Sequence, residues 1–218
     1  MCIKENIKNI KEDLKKDITL VAVSKTKPIE DIKLAYEMGQ RDFGENKVQE
    51  LIDKEEILPK DINWHFIGKL QTNKVKYLVG KVFLIHSLSS IKLLDKIENE
   101  FSKKKVIANL LIQINIGREE SKSGIFEEEL LDLVSEVEKC KFCKVKGIMA
   151  IIPKGTDEEN RIYFKKTRQI FDKLSKEKYN NITMEILSMG MTNDYKVALE
   201  EGSNLIRIGE GIFGKRNV

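Results

Sequence analysis

Lys25 is the residue whose type and place first suggest chemistry. It follows an apolar run from Ile18 to Ser24. In an extended strand Val21, Val23 and Lys25 share one face, and Leu20, Ala22 and Ser24 share the other. If the first face looks into a barrel, desolvation favours the neutral amine, the form that attacks an aldehyde to give a Schiff base. A solvated lysine at a strand end is the competing reading, because the chain is rich in lysine. Lys27, beside Pro28, reads as a loop residue. Arg207 is the second candidate. It interrupts the apolar run Leu205-Ile206-Arg207-Ile208-Gly209, where a guanidinium is costly to bury without an acceptor. Either an internal ion pair or a ligand supplies that acceptor. A pyridine nitrogen qualifies, since arginine donates hydrogen bonds and keeps its proton.

Glycine-rich segments end the last two apolar runs: Ser188-Met189-Gly190-Met191 and Gly209-Glu210-Gly211. Glycine lets backbone N–H groups approach a phosphate, and the Ser188 hydroxyl adds a donor. Asn46, in Phe43-Gly44-Glu45-Asn46, either faces a ligand or caps the following helix. His65 lies within Trp64-His65-Phe66-Ile67-Gly68 and reads as a hydrogen-bonded structural histidine rather than a base. Gln71-Thr72-Asn73-Lys74 reads as a helix start capped by Thr72 or Asn73. Cys140-Lys141-Phe142-Cys143 has C-x-x-C spacing, but it falls in a connection rather than at a helix start, where the dipole would lower a thiol pKa. With Cys2 the cysteines form an odd set, which argues against a disulfide framework. Further zinc ligands are sought in His65 and His86, both distant in sequence. No metal site is expected, and the cysteines read as surface or half-buried thiols.

These residues need elements to hold them. Eight apolar runs read as strands: Ile18–Ser24, Asp42–Asn46, Asn63–Gly68, Val82–Leu88, Asn109–Ile116, Val145–Ile152, Glu185–Met191 and Leu205–Gly209. A charged amphipathic helix over about residues 3 to 16 precedes them. Pro28 opens a helix at the first-turn position, with Ile29, Ile32, Leu34, Ala35 and Met38 on its apolar side and Gly39 ending it. Leu130, Leu131, Val134 and Val137 recur after Phe126, as do Tyr163, Phe164, Ile170, Phe171 and Leu174 after Asn160. Eight strands, each but the last followed by a helical stretch, suggest an α/β fold: a single (β/α)8 TIM-type barrel over residues 1–218 with an extra N-terminal helix. A doubly wound open sheet is the competing topology. A barrel has a further consequence: Lys25, Asn46, the stretch from His65 to Gly68, Ser87, Asn115, Ser188 to Gly190 and Arg207 to Gly209 should form one ring at the strands' C-terminal ends.

Composition excludes several classes. Lys+Arg exceed Asp+Glu by 39 to 35, a net +4 spread along the chain, so no basic block marks a nucleic-acid binder. No apolar run approaches the ~20 residues of a membrane-spanning helix. Charges near Met1 stand where a signal peptide would be apolar, so a cytoplasmic location is expected.

Taken in order, several blocks resemble the pyridoxal phosphate homeostasis protein family, single-domain barrels related to the N-terminal barrel of alanine racemases. They are Ala22-Val23-Ser24-Lys25-Thr26-Lys27-Pro28, Phe43-Gly44-Glu45-Asn46 with Gln49-Glu50, His65-Phe66-Ile67-Gly68 with Leu70-Gln71 and Asn73-Lys74, and Ile114-Asn115-Ile116. Further blocks are Ser121-Lys122-Ser123-Gly124, Gly147-Ile148-Met149-Ala150, Leu187-Ser188-Met189-Gly190-Met191 and Arg207-Ile208-Gly209 with Ile212-Phe213-Gly214. The resemblance implies a fold type III barrel that binds pyridoxal 5′-phosphate (PLP) as a Schiff base on Lys25. It implies Arg207 at the pyridine nitrogen, Ser188, Gly190 and the Gly209–Glu210 backbone at the phosphate, and Asn46, Met149 and Met191 among the cofactor-binding residues. One departure stands out: relatives often carry threonine or serine where this chain has Glu210. Its N–H is expected to serve the phosphate while the carboxylate turns outward.

The resemblance also implies a non-catalytic role in PLP homeostasis, with PLP as ligand and PLP-dependent apoenzymes or PLP-synthesising enzymes as partners. A racemase of this fold uses a tyrosine base from a second domain. The chain stops soon after its eighth candidate strand, so that domain is not expected, and a monomer is. Tyr36, Tyr77, Tyr163, Tyr179 and Tyr195 all fall on predicted helices. An alanine racemase-like PLP enzyme is the alternative reading. A barrel enzyme acting on a phosphorylated metabolite without PLP is a third.

Overall fold

The computed structural model describes residues 2–120 and 122–215, so Ser121 of the expected blocks and the ends of the 1–218 span lie outside the described residues. Strands β1 (Thr19–Val23), β2 (Asp42–Glu45), β3 (Asn63–Phe66), β4 (Leu84–Leu88), β5 (Ala108–Ile114), β6 (Cys143–Ala150), β7 (Ile182–Ser188) and β8 (Leu205–Ile208) match the eight apolar runs. They pair in parallel, in sequence order, and close into a barrel. Closure sets Thr19 against Leu205 and Val21 against Arg207. The open-sheet alternative is thereby excluded.

Helices α1 (Ile3–Glu12), α2 (Ile29–Glu37), α3 (Val48–Ile57), α4 (Ile91–Lys104), α5 (Leu130–Val137), α6 (Asp157–Ser175), α7 (Tyr195–Glu200) and α8 (Glu210–Phe213) surround the barrel. Local chemistry sets several ends. The Ser90 hydroxyl accepts from Leu93 N–H at 3.2 Å to start α4, and Thr156 and Glu159 form a reciprocal capping box on α6. Gly39, with φ of +76°, follows α2 as expected. The last strand does carry a helix, the single turn α8. It is too short to cover β8, and α1 packs beside both α8 and α2, burying Ile7 and Ile10.

Other expectations shift for physical reasons. Pro28 stands outside α2 at the cap position, and α1 stops four residues before Lys16. Residues 72–77 form a 3₁₀ helix with Gln71 in the cap position and no side-chain cap bond, so neither Thr72 nor Asn73 caps it. Leu131 is 61% exposed and Leu34 37% exposed, while Leu133 is buried. Spacing alone does not fix which edge of an apolar stripe meets the barrel, so residues there are misassigned. Tyr179 lies in the connection after α6 rather than on a helix.

The pleat divides the core. Leu20 and Ala22 join the large cluster between sheet and helices. Val21, Leu84, Leu111, Met149 and Leu205 form a separate apolar cluster, the layer expected inside a barrel. Lys25 is therefore in register with the inward-facing residues of β1.

Candidate functional site

At the C-terminal ends of the strands a cavity of about 610 Å³ opens among Val23, Lys25, Asn46, Ile67, Ile151, Met191, Thr192, Asp194, Arg207, Gly209 and Glu210. Residues from β1, β2, β3, β6, β7 and β8 or the loops after them thus meet around one space. A smaller cavity of about 80 Å³ lies beside it among Val23, Lys25, Lys27, Gly209, Glu210 and Gly214.

Lys25 is half-buried and braced through both neighbours. Ser24 donates its hydroxyl to Glu45 Oε1 at 2.6 Å, and its carbonyl accepts from the buried Lys54 Nζ at 2.8 Å. Lys54 also pairs with Glu45 at 2.8 Å and Glu50 at 2.7 Å. Glu50 Oε1 in turn accepts from Thr26 N–H at 2.6 Å. Thr26 adopts φ of +64°, uncommon for a residue with a side chain, and this bond holds it there. Burial pushes the Glu45 carboxyl up from its ordinary value, and Lys54 partly offsets that. Lys27 reaches the other way, donating to the carbonyls of Phe213, Gly214 and Lys215 at 2.8, 3.2 and 3.2 Å.

Arg207 is 3% exposed. Its Nη2 donates to Ala150 O at 2.9 Å and its Nη1 to Ser188 Oγ, both uncharged acceptors. No ion pair includes Arg207 among the described residues, so the internal ion-pair reading fails. Burial pushes its pKa down to about 10, with Asp194 opposing, which leaves it charged at neutral pH. Across the cavity, Asn46 Oδ1 is buried with no hydrogen-bond partner. The missing Cβ of Gly68 lets the two backbones meet: a Cβ there would lie 2.2 Å from Asn46 O.

The expected ring forms only in part. Lys25, Asn46, Met191, Arg207, Gly209 and Glu210 line the cavity, and Glu210 is exposed as expected. Ser188 faces the lumen beneath Arg207, with its hydroxyl engaged there. Gly190 has φ of +92° and packs against α7, where a Cβ would meet Ala198 Cβ at 2.7 Å. It is needed for a close approach rather than for a cavity wall. Met149 is fully buried in the lumen cluster. Ser87 is buried, and Asn115 lines a different cavity, its side chain bonded to its own loop. Alternation assigns a face, but only the depth at which each strand ends decides who reaches the opening. Sequence reasoning missed Thr192, whose Oγ1 accepts from Gly211 N–H at 3.3 Å beside the start of α8. Its place directly after Met191 was the available signal.

Cys143 is fully buried at the start of β6, the opposite end of the barrel, and Cys140 is half-buried. Their sulfurs and the Glu98 carboxylate lie within 4.8 Å of one another. The hydrogen bond with Cys140 and burial push the Cys143 thiol up. Glu98 accepts from the Lys141 and Phe142 N–H groups at 2.8 and 2.9 Å.

Residues 2–217 match the family model for the alanine racemase N-terminal domain. The pyridoxal phosphate homeostasis protein of Aquifex aeolicus is 45% identical over 199 residues, covering 90% of this chain and 86% of that one. The chain belongs to the pyridoxal phosphate homeostasis protein family. Its Escherichia coli member is 38% identical, covering 92% of this chain and 87% of that one. The structure of PipY from Synechococcus elongatus PCC7942 without PLP superposes with a TM-score of 0.92 at 32% identity, covering 97% of this chain and all of that one. The same protein with PLP bound gives 0.89. Alanine racemase from Corynebacterium glutamicum shares the fold at 14% identity and a TM-score of 0.81. The match covers 99% of this chain and 62% of that one.

Proposed function

We propose that this chain binds PLP as a Schiff base on Lys25 and serves intracellular PLP homeostasis as a carrier rather than a catalyst. One observation carries the reading. A lysine, a buried arginine whose bonded acceptors are uncharged and an asparagine line a single cavity of about 610 Å³. PLP supplies, when bound, an aldehyde for an amine and an electron-poor ring. Lys25 offers the amine. Arg207 offers N–H groups to the pyridine nitrogen and keeps it unprotonated, which weakens the ring as an electron sink. Asn46 would lie beside the ring. The N–H groups of Gly209 and Glu210 and the Thr192 hydroxyl suit the phosphate. Ser188 serves through Arg207 instead of at the phosphate.

No tyrosine is among the described residues that line the cavity. That favours a carrier over the alanine racemase-like alternative. PLP-dependent apoenzymes or PLP-synthesising enzymes are the partners this role needs. We place the chain in the cytoplasm as a monomeric single domain. Among the described residues no helix is long and apolar enough to cross a membrane.

The visible spectrum of the purified protein, before and after borohydride, tests the reading. A yellow band lost on reduction, with label on Lys25 and none in Lys25→Ala, is expected. Colour unchanged in Lys25→Ala overturns the attachment, and alanine turnover at racemase-like rates overturns the carrier role.

A further inference from the structure

A polar file runs through the barrel lumen beneath the cavity. Ser188 Oγ, which accepts from Arg207, lies 3.4 Å from His86 Nδ1. His86 Nε2 is 2.9 Å from His65 Nδ1, and His65 Nε2 is 3.0 Å from Asp42 Oδ1. Five strands, β2, β3, β4, β7 and β8, contribute one residue each. The file crosses the lumen from the cavity floor to the first residue of β2, where Asp42 is 25% exposed. His65, His86 and Ser188 are buried. Branched apolar side chains ordinarily fill this space, and polar groups are tolerated there only when bonded.

The two ends determine where each proton sits. Arg207 only donates, so Ser188 accepts from it and turns its own hydrogen to His86 Nδ1. The Asp42 carboxylate only accepts, so His65 carries its proton on Nε2, and its Nδ1 accepts from His86 Nε2–H. Both ends require the same arrangement. Burial first, with the Arg207 charge adding to it, holds His86 well below the ordinary imidazole pKa, so it is neutral. Every bond dipole then points from the cation at the cavity to the carboxylate at the rim.

We propose that Asp42, His65, His86 and Ser188 are positioning residues for Arg207, orienting its guanidinium toward the cofactor ring and transmitting part of the Asp42 countercharge into the cavity. The inference rests on the PLP reading above. Without the Asp42 charge the cavity is more positive, and a protonated Schiff base on Lys25 loses its proton at lower pH. Lys27, Lys154, Asp157, Asp194 and Glu210 face the same cavities, and Lys11 and Arg41 lie near Asp42. All stay unchanged in the variants below.

Asp42→Asn in the full chain keeps the shape and an acceptor for His65. The pH midpoint of its visible band should fall by about half a unit, as expected for one charge acting through a partly screened interior. The cofactor should remain reducible onto Lys25. His86→Phe cuts the file and should move the midpoint the same way, while His86→Gln, which can accept from Ser188 and donate to His65, should restore most of it. Nitrogen-15 spectra of the cofactor-free protein should show both imidazoles protonated at Nε2, with His86 resonances shifting in Asp42→Asn. An unmoved midpoint in Asp42→Asn, even with lower thermal stability, overturns the proposal, as does a His86 proton on Nδ1. A wild-type protein with no reducible band sinks the PLP reading instead. The imidazole spectra then decide the file by themselves.

Discussion

Behind Lys25, the buried Lys54 sits 2.8 and 2.7 Å from two carboxylates; around Arg207, the direct acceptors are a hydroxyl and a carbonyl. Both regions bury a cation, yet they compensate it differently. Lys54 is locked in full ion pairs between sheet and helix, and its role is to hold Ser24 and Thr26 so that Lys25 projects in one direction. Arg207 stands on neutral partners, and the nearest carboxylate in its file is reached through three other side chains. Two of its five N–H donors are used by the described residues, which leaves donors for a ligand. A closed ion cluster gives rigidity, and an incompletely satisfied cation gives affinity.

The largest expected effect tests that contrast on stability. Lys54→Met leaves the fully buried Glu45 without its countercharge and should cost about 3 kcal/mol in urea unfolding. The pH dependence has a definite sign. Burial raises the folded Glu45 pKa above 4.5, so the ionised form is penalised in the fold. The penalty is full above the folded pKa and vanishes as pH falls below the unfolded value. The Lys54→Met deficit should therefore shrink toward pH ~4.5; a deficit independent of pH would remove Glu45 from the account.

Arg207→Met should cost less stability, about 1 kcal/mol, because it strands no carboxylate. It should nonetheless weaken PLP binding about tenfold or more, measured by equilibrium dialysis. Stability losses equal to those of Lys54→Met would erase the distinction between the two regions. The smallest effect is at the rim. Glu210→Thr removes an exposed carboxylate beside the proposed phosphate position and should tighten PLP binding about threefold, the modest size of a screened surface interaction. Unchanged affinity would mean that the carboxylate points wholly away.

Legibility followed the range of the interactions. The alternation of Val21 and Val23 with Leu20 and Ala22 correctly sorted the two faces of β1, Asn46 was picked out by residue type at a strand end, and Arg207 as a charge inside an apolar strand. Glu45, Glu50 and Lys54 gave no such signal, since charged residues at a strand end or on a helix usually face water. Nothing local distinguished Ser188, which meets Arg207, from a phosphate ligand. The His65 reading held, yet its partners, Asp42 and His86, lie on neighbouring strands and come within reach only through sheet register.

By itself, the sequence determined eight strands, the helices between them, the lysine at the end of the first strand and the arginine inside the last. Those follow from periodicity and residue chemistry over a few neighbouring positions. Tertiary structure decided the rest: that Val21 sits against Arg207, that Met149 and Gly190 fall behind the cavity wall, and that Thr192 reaches α8. The physical reason is closure. Pairing β1 with β8 brings residues nearly 190 positions apart into one register, and no local pattern encodes how deep each side chain then stands in the lumen.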